Sequence, residues 1–460
     1  MTITGIKTKF HPDAVLAETL SQWIGCARVI YNAKCDEDKY LRTYARKYLP
    51  VGTWPKPDQT YSQFKTELTS FLSECPSQIL RNSATIWCQA YQSFFKGIGG
   101  RPSRKPKVKG NYVWLTSELF RIQWINDVCH LELGTQANPA GTLSIKWNKS
   151  RIPAQSPKSV WIRKTNAGWS LAFSYDDGLL HQDVSNSEHL AYLKTLDSQA
   201  LDALITPVDR GVAKPLHTHN AIYALDADSK RKFAWRDKLV KRYQRKAARQ
   251  VKGSNQRKRT LARIAKLREK DTDVRTNFWH QTTRALVDNS KVIVLEDLKL
   301  KNMTKRAKPK ICEITGKWLQ NGARAKSGLN KALLGVGLYQ FEQFLSYKMA
   351  AANKPLLKVA PHHTSQECAH CGHIHPSNRI SQSDFKCQSC GHADNADHNA
   401  ALVIRKRAIN LILNSGTELA GTHKIVLKLR ASVEKSANSC KTLKAKALGA
   451  TSGLSKKKAA

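Results

Sequence analysis

Hydrophobic positions along this chain change their period several times, and each change marks a structural boundary. Residues 3 to 10, ITGIKTKF, alternate apolar and polar like a half-buried strand. Beyond Pro12 and Asp13 the step lengthens: Leu16, Leu20, Trp23, Ala27 and Ile30 recur at intervals of four and three, on one face of a helix. Residues 60–73 and 76–97 repeat the theme. The second run opens at Pro76, carries Leu80, Trp87, Tyr91 and Phe94, and stops at Gly99-Gly100. From 111 to 176 the period returns to two in short runs, FRIQW, VCHLEL, TLSIKW, SVWIRK and WSLAFSY, with Asn166-Ala167-Gly168 marking a hairpin. Such strands predict a small barrel or sandwich. Trp114, Trp124, Trp147, Trp161 and Trp169 read as its core, their other use being to stack on nucleic-acid bases.

Residues 177–202, locally more acidic, read as a connection. LITPVDRGVAKPLHT then predicts a strand ending at Asp209 and Gly211, with AIYAL at 221–225 continuing a meander. Residues 229–289 read as two basic helices broken at Gly253-Ser254-Asn255, with Leu261, Ile264 and Leu267 forming a narrow apolar stripe. Val292 to Leu295 is a buried strand whose end delivers Glu296 and Asp297. Adjacent side chains on a strand point to opposite faces, so only one of that pair can enter a given site. A basic stretch over 299–328 reads as mobile, Asn330 opens a helix carrying Leu334, Leu338, Phe341 and Leu345, and 354–361 is another strand. A further helix runs from Asp397 to about residue 412, and the Lys-, Ala- and Ser-rich tail over 413–460 reads as disordered.

Charge narrows the partner. Lys and Arg number 76 against 35 Asp and Glu, a net charge of +41, for which a polyanion is the natural counterpart. GGRPSRKPKVKG at 99–110 carries Arg101, Arg104, Lys105, Lys107 and Lys109 on a segment that its prolines keep extended, able to follow a phosphate backbone. Arg242, Arg245, Lys246 and Arg249 crowd the first basic helix, where few acids compensate them. There is no apolar run of about eighteen residues and no signal-peptide pattern, so no membrane partner is expected and the chain reads as cytoplasmic, close to the nucleoid. Cys26, Cys35, Cys75, Cys88, Cys129, Cys312 and Cys440 are scattered and read as reduced thiols.

The remaining cysteines are patterned. Cys368, Cys371, Cys387 and Cys390 form C-x2-C, fifteen residues, C-x2-C, the spacing with which two turns aim four thiolates at one tetrahedral zinc. Four thiolates leave no open position, so this zinc is structural. Seven residues on, Asp397 stands in D-x-N-A-A at the head of an apolar run. Asp209, Glu296 and Asp397 thus occupy comparable places at element ends, and if the strands share a sheet those ends converge. Carboxylate oxygens suit Mg2+, and two such ions roughly 4 Å apart support phosphodiester hydrolysis.

IGCARVIYN at 24–32, VDRGV at 208–212, LEDLKLKNM at 295–303, TSQEC at 364–368 and NADHNAA at 395–401, ordered around the cysteines, resemble TnpB. TnpB proteins are transposon-encoded, RNA-guided nucleases similar to the miniature type V CRISPR effectors. The resemblance implies a multidomain α/β protein. A β-barrel over 1–10 and 99–180 would carry a helical recognition lobe at 11–98. A linker at 181–202 would lead to a RuvC nuclease domain of ribonuclease H-like fold over 203–361 and 396–412, with a zinc-binding insert at 362–395. It further implies Asp209, Glu296 and Asp397 as the triad for Mg2+, a guide RNA and a target double-stranded DNA. Arg210 departs from the family, which usually has an apolar or aromatic residue there. An RNA-guided binder that represses without cutting, a transposase that joins strands, and a zinc-ribbon RNA-binding protein stay open as alternatives.

Overall fold

The computed structural model describes residues 3–44, 47–48, 57–106, 111–126, 128–146, 156–165, 168–176 and 186–414. The chain divides into two compact units, Met1–His181 and Gln182–Ala460.

In the first unit β1 (Ile3–Phe10) leads into α1 (Ala14–Thr43). Asp13 fixes the helix start, its Oδ1 accepting the Leu16 N–H at 2.7 Å. The α2 helix (Ser77–Phe95) begins after Pro76 and lies along α1, with the Tyr91 hydroxyl donating to Asp38 Oδ1 at 2.7 Å. Between them, the helix expected over 60–73 is two 3-10 turns, Ser62–Phe64 and Glu67–Leu72. Thr69 leaves the helical conformation there and its hydroxyl donates to the Phe64 carbonyl at 2.7 Å, a side-chain bond that competes with the helical ladder.

Six strands follow: β2 (Tyr112–Thr116), β3 (Phe120–Ile125), β4 (Val128–Gly134), β5 (Pro139–Lys146), β6 (Ser159–Thr165) and β7 (Gly168–Asp176). Among the described residues they pair as two antiparallel ladders, β1-β7-β6-β2 and β3-β4-β5, rather than as one closed barrel. Val113, Leu115, Val160, Ile162, Leu171 and Phe173 of one ladder meet Leu131, Leu133, Leu143 and Ile145 of the other, and Leu16, Leu20, Ile30 and Leu80 of the helices join the same core. Period two then decides the tryptophans. With Val113 and Leu115 inward, Trp114 turns outward and stacks on Trp161, centroids 5.5 Å apart, while Trp124 and Trp169 lie partly buried against the core. Trp147 lies outside the described residues.

The second unit opens with two helices where a connection was expected: α3 (Asn186–Lys194) and α4 (Ser198–Leu204), the latter capped by Asp197. Leu193 and Leu201 supply the burial that the local acidity hides. Then come β8 (Ile205–Asp209), β9 (Leu216–Thr218), β10 (Ile222–Tyr223), α5 (Ala227–Arg249), α6 (Asn255–Asn289) and β11 (Val292–Glu296). The stretch read as mobile holds a short α7 (Leu300–Met303), a hairpin of β12 (Lys310–Ile311) and β13 (Trp318–Leu319), and the start of α8 (Ala323–Val336), which breaks at Gly337 into α9 (Leu338–Ala351). Finally β14 (Leu356–Val359) precedes the small hairpin of β15 (Asp384–Lys386) and β16 (Ala393–Asn395), and α10 (Ala396–Asn414) closes the described chain.

The main sheet has the order β10-β9-β8-β11-β14, with β8, β11 and β14 parallel and β9 and β10 antiparallel. Alternation gives it two apolar faces. Ile205, Val292, Val294, Leu357 and Val359 pack under α10, whereas Val208, Ile293, Leu295 and Leu356 pack against Trp279 and Leu286 of α6 and Phe341 and Leu345 of α9. No helix among the described residues is long and apolar enough to cross a membrane.

Candidate active site and metal centre

Asp209 ends β8 and Glu296 ends β11, neighbouring parallel strands in which Leu295 stands opposite Val208. Counting by twos from Val292 and Val294 puts Glu296 on the α10 face, and counting from Ile205 puts Asp209 there too. Asp397 enters the same space from the first turn of α10, where its backbone N–H and that of His398 face the Asn395 side chain. Asp209 feels the other two: burial, then Glu296, then Asp397 push its carboxyl up to about 7. Burial raises Glu296 as well, against the Thr364 hydroxyl, which donates to its Oε1 at 2.6 Å, and the cations Arg210 and Arg407. Asp397 carries two cations of its own, Lys214 Nζ at 3.2 Å and Arg379 Nη2 at 3.5 Å. The neighbouring acids are engaged elsewhere. Asp297 points to the α9 face and pairs with Lys299 and Lys358, while Asp394 accepts from His398 Nδ1 at 2.6 Å.

The four cysteines form a tighter set. Among the described residues they are the group of His, Cys, Asp and Glu whose donor atoms all lie within 4.8 Å of one another; the carboxylates are more open. Cys368 Sγ is 3.7 Å from Cys390 Sγ and Cys371 Sγ 3.6 Å from Cys387 Sγ. These separations fit the edges of a tetrahedron, about 3.8 Å for a metal–sulfur bond near 2.3 Å, so the cluster can hold one metal ion. Each C-x2-C-G-H segment makes the same turn: Gly372 donates to the Cys368 carbonyl and Gly391 to that of Cys387, both glycines at positive φ. Asn399, fully buried, joins this knuckle to α10 by accepting the Ala369 N–H at 2.9 Å and donating to the Glu367 carbonyl at 2.7 Å. That explains the asparagine of D-x-N-A-A.

The basic residues separate into two groups. On α5, Arg242, Arg245, Lys246 and Arg249 are exposed, while Val240 and Ala247 are buried. The segment before β2 is tied to its own unit instead. Arg101 lies over the rings of Tyr91 and Phe94, Arg104 pairs with Asp36 at 2.9 Å, and Lys105 Nζ sits 3.4 Å from the centre of the Tyr31 ring and donates to the Tyr112 hydroxyl. Burial lowers the Lys105 ammonium to about 8. Asn32 clamps the Lys105 backbone from both sides, donating to its carbonyl and accepting its N–H. Lys105 is therefore an anchor where a phosphate contact was expected. Lys107 and Lys109 lie outside the described residues.

Three family models match parts of the chain: a helix-turn-helix domain over 1–37, a probable transposase over 225–307, and a Cas12f1-like TNB domain over 339–404. The putative RNA-guided DNA endonuclease InsQ of Escherichia coli K12 is 27% identical over 402 residues, spanning 87% of this chain and 90% of InsQ. A putative RNA-guided DNA endonuclease of Streptomyces pristinaespiralis is 24% identical over 86% of this chain and 87% of its own length. The chain is similar to these RNA-guided DNA endonucleases over most of its length. A Cas12f1 endodeoxyribonuclease of Sulfoacidibacillus thermotolerans is 30% identical over 33% of this chain and 31% of its own length. The 1–37 match falls on a strand and most of one long helix, so no helix-turn-helix forms among its described residues.

Four side chains around these acids escape a reading of the sequence. Thr364 lies inside the TSQEC run, where nothing local gives it a role. Lys214 and Arg379 reach Asp397 from a turn and from the knuckle, and no spacing rule links them to it. Arg210 stands out only as an odd residue beside Asp209.

Proposed function

We propose that this chain is an RNA-guided DNA endonuclease that hydrolyses phosphodiester bonds of guide-matched DNA beside a short flanking motif. The carrying observation is the convergence of Asp209, Glu296 and Asp397 from β8, β11 and α10 on one sheet face, with Asp209 held near 7 by burial and its acidic neighbours. The sheet order, three antiparallel strands with two parallel ones added beside the first, supports reading this part as a ribonuclease H-like RuvC domain. The three carboxylates are a hard-oxygen donor set suited to Mg2+, which when bound supplies activation of water and stabilisation of the leaving oxygen.

The chain's own residues do the rest. The Thr364 hydroxyl orients Glu296, and Lys214 and Arg379, which pair with Asp397, would be available to a phosphate oxygen if Asp397 held a metal ion instead. The thiolate knuckle, whose cysteines would hold a zinc ion, carries Arg379 and is joined to the start of α10 through Asn399. The exposed cations of α5 bind phosphates of the guide RNA or target DNA. In such systems pairing reads the sequence while protein contacts follow backbone shape. On this reading residues 203–361 and 396–412 form the nuclease domain, 362–395 the zinc insert and 1–180 the guide-gripping part. The similarity of InsQ and Cas12f1 supports the same activity.

The test is to sequence the RNA that copurifies with the full chain and offer the complex DNA matching its variable end. A defined RNA and cut DNA with hydrolysed ends support the proposal. Strand-joined products would assign a transposase, guided binding without cutting under any divalent metal a repressor, and bulk cellular RNA a charge-driven RNA binder.

A further inference from the structure

Behind the carboxylates, on the α9 face of the same sheet, runs a line of buried charges that the proposed chemistry does not use. Arg210 follows Asp209 and so turns to the opposite side. Its side chain is 0% exposed. Nη1 donates to Glu342 Oε2 on α9 at 3.0 Å, and Nη2 donates to the backbone carbonyl of Glu296. The other oxygen of Glu342 accepts from Lys358 of β14 at 2.5 Å, and Lys358 also reaches Asp297 Oδ1 at 3.5 Å. One chain of ion pairs thereby joins the ends of β8 and β11 to β14 and α9.

Stability alone does not account for such a network. Apolar residues of similar volume usually serve as well as a buried ion network, because desolvation offsets the Coulomb gain. What the guanidinium adds is a bond to the peptide of the residue whose carboxylate enters the site from the other face. That carbonyl also accepts the Leu298 N–H at 2.9 Å, so the turn after β11 is held from two directions.

We propose that Arg210 is a positioning residue: braced by Glu342, it fixes the peptide at the tip of β11 so that the Glu296 carboxylate stays beside Asp209. The inference rests on the nuclease reading for the role of Glu296. Displacements of about 1 Å in such a constellation cost on the order of a hundredfold in rate.

The test compares the full chain with Arg210→Leu/Glu342→Gln, which removes one charge of each sign and leaves Lys358 an acceptor, and with Arg210→Lys, which keeps the charge with fewer donors. Mn2+ affinity is read by electron paramagnetic resonance without guide or DNA, folding by thermal melting, and single-turnover cleavage in the guided complex. The double variant is expected to melt close to wild type, bind Mn2+ about tenfold more weakly and cut roughly a hundredfold more slowly at saturating DNA. A double variant that binds Mn2+ and cuts like wild type overturns the proposal. If the double variant does not fold, Arg210→Lys decides: weakened Mn2+ binding in a stable protein supports positioning, and unchanged binding overturns it. Wild type that binds Mn2+ yet cuts nothing defeats the nuclease reading alone, and the affinity comparison still decides this one.

Discussion

Replacing Asp209 by asparagine removes one of three converging charges at nearly constant size, and the structure sets what that does to stability. The Asp209 carboxyl titrates at about 7 when folded against an ordinary 3.8, because burial and then Glu296 and Asp397 disfavour its charge. The folded chain holds this proton more tightly than the unfolded chain does. The stability it confers is full below about pH 4 and is lost as pH rises through about 7. A shift of about three units corresponds to a ceiling of roughly 4 kcal/mol. Asp209 is only half-buried, and solvent screening brings this to about 2 kcal/mol. Asp209→Asn should therefore raise the melting temperature at pH 8 by about 4–8 °C and leave it nearly unchanged at pH 4. Differential scanning fluorimetry in resin-treated, metal-free buffer at both pH values reads this directly. Equal melting of the two proteins at pH 8 would refute the idea that the acids repel across a shared space.

Three further outcomes follow from other parts of the molecule. Asn399→Ala leaves the Ala369 N–H and the Glu367 carbonyl without a partner in a buried place, and urea unfolding should show a loss of about 2–5 kcal/mol. Cys371→Ser leaves three thiolates, so metal per chain measured by mass spectrometry should fall well below one equivalent and the 368–395 segment should become open to protease. Changing Arg242, Arg245, Lys246 and Arg249 together to Gln should flatten the salt dependence of RNA binding by about 0.7 for each phosphate that is no longer neutralised, read by fluorescence anisotropy.

Local rules carried much of the fold and site. Asp13 and Pro76 announced their helices, Gly253-Ser254 the break between α5 and α6, and the cysteine spacing the knuckle, because each is decided within a few residues. What stayed hidden depends on pairs distant in sequence. Leu193 and Leu201 become helical because α10, two hundred residues later, covers them. Lys105 reads as a phosphate contact until Tyr31 and Tyr112 close around it. Alternation alone left Glu296 and Asp297 equivalent and the motif resemblance favoured Glu296; the division of the apolar residues of β11 between α10 and α9 puts Glu296 on the α10 face. Arg210 needed both Glu342 and the Glu296 carbonyl, more than eighty residues away, before its charge made sense.

Guided cleavage by Asp209→Ala, Glu296→Ala, Asp397→Ala and the triple variant, with wild type alongside, addresses the proposed common metal site itself. Groups that act as one unit are not additive. Each single change should abolish cutting of matched DNA in Mg2+ to the level of the triple variant, with guide RNA still bound. A single variant that keeps cutting at near the wild-type rate would show that its carboxylate stands outside the chemistry and would contradict the account.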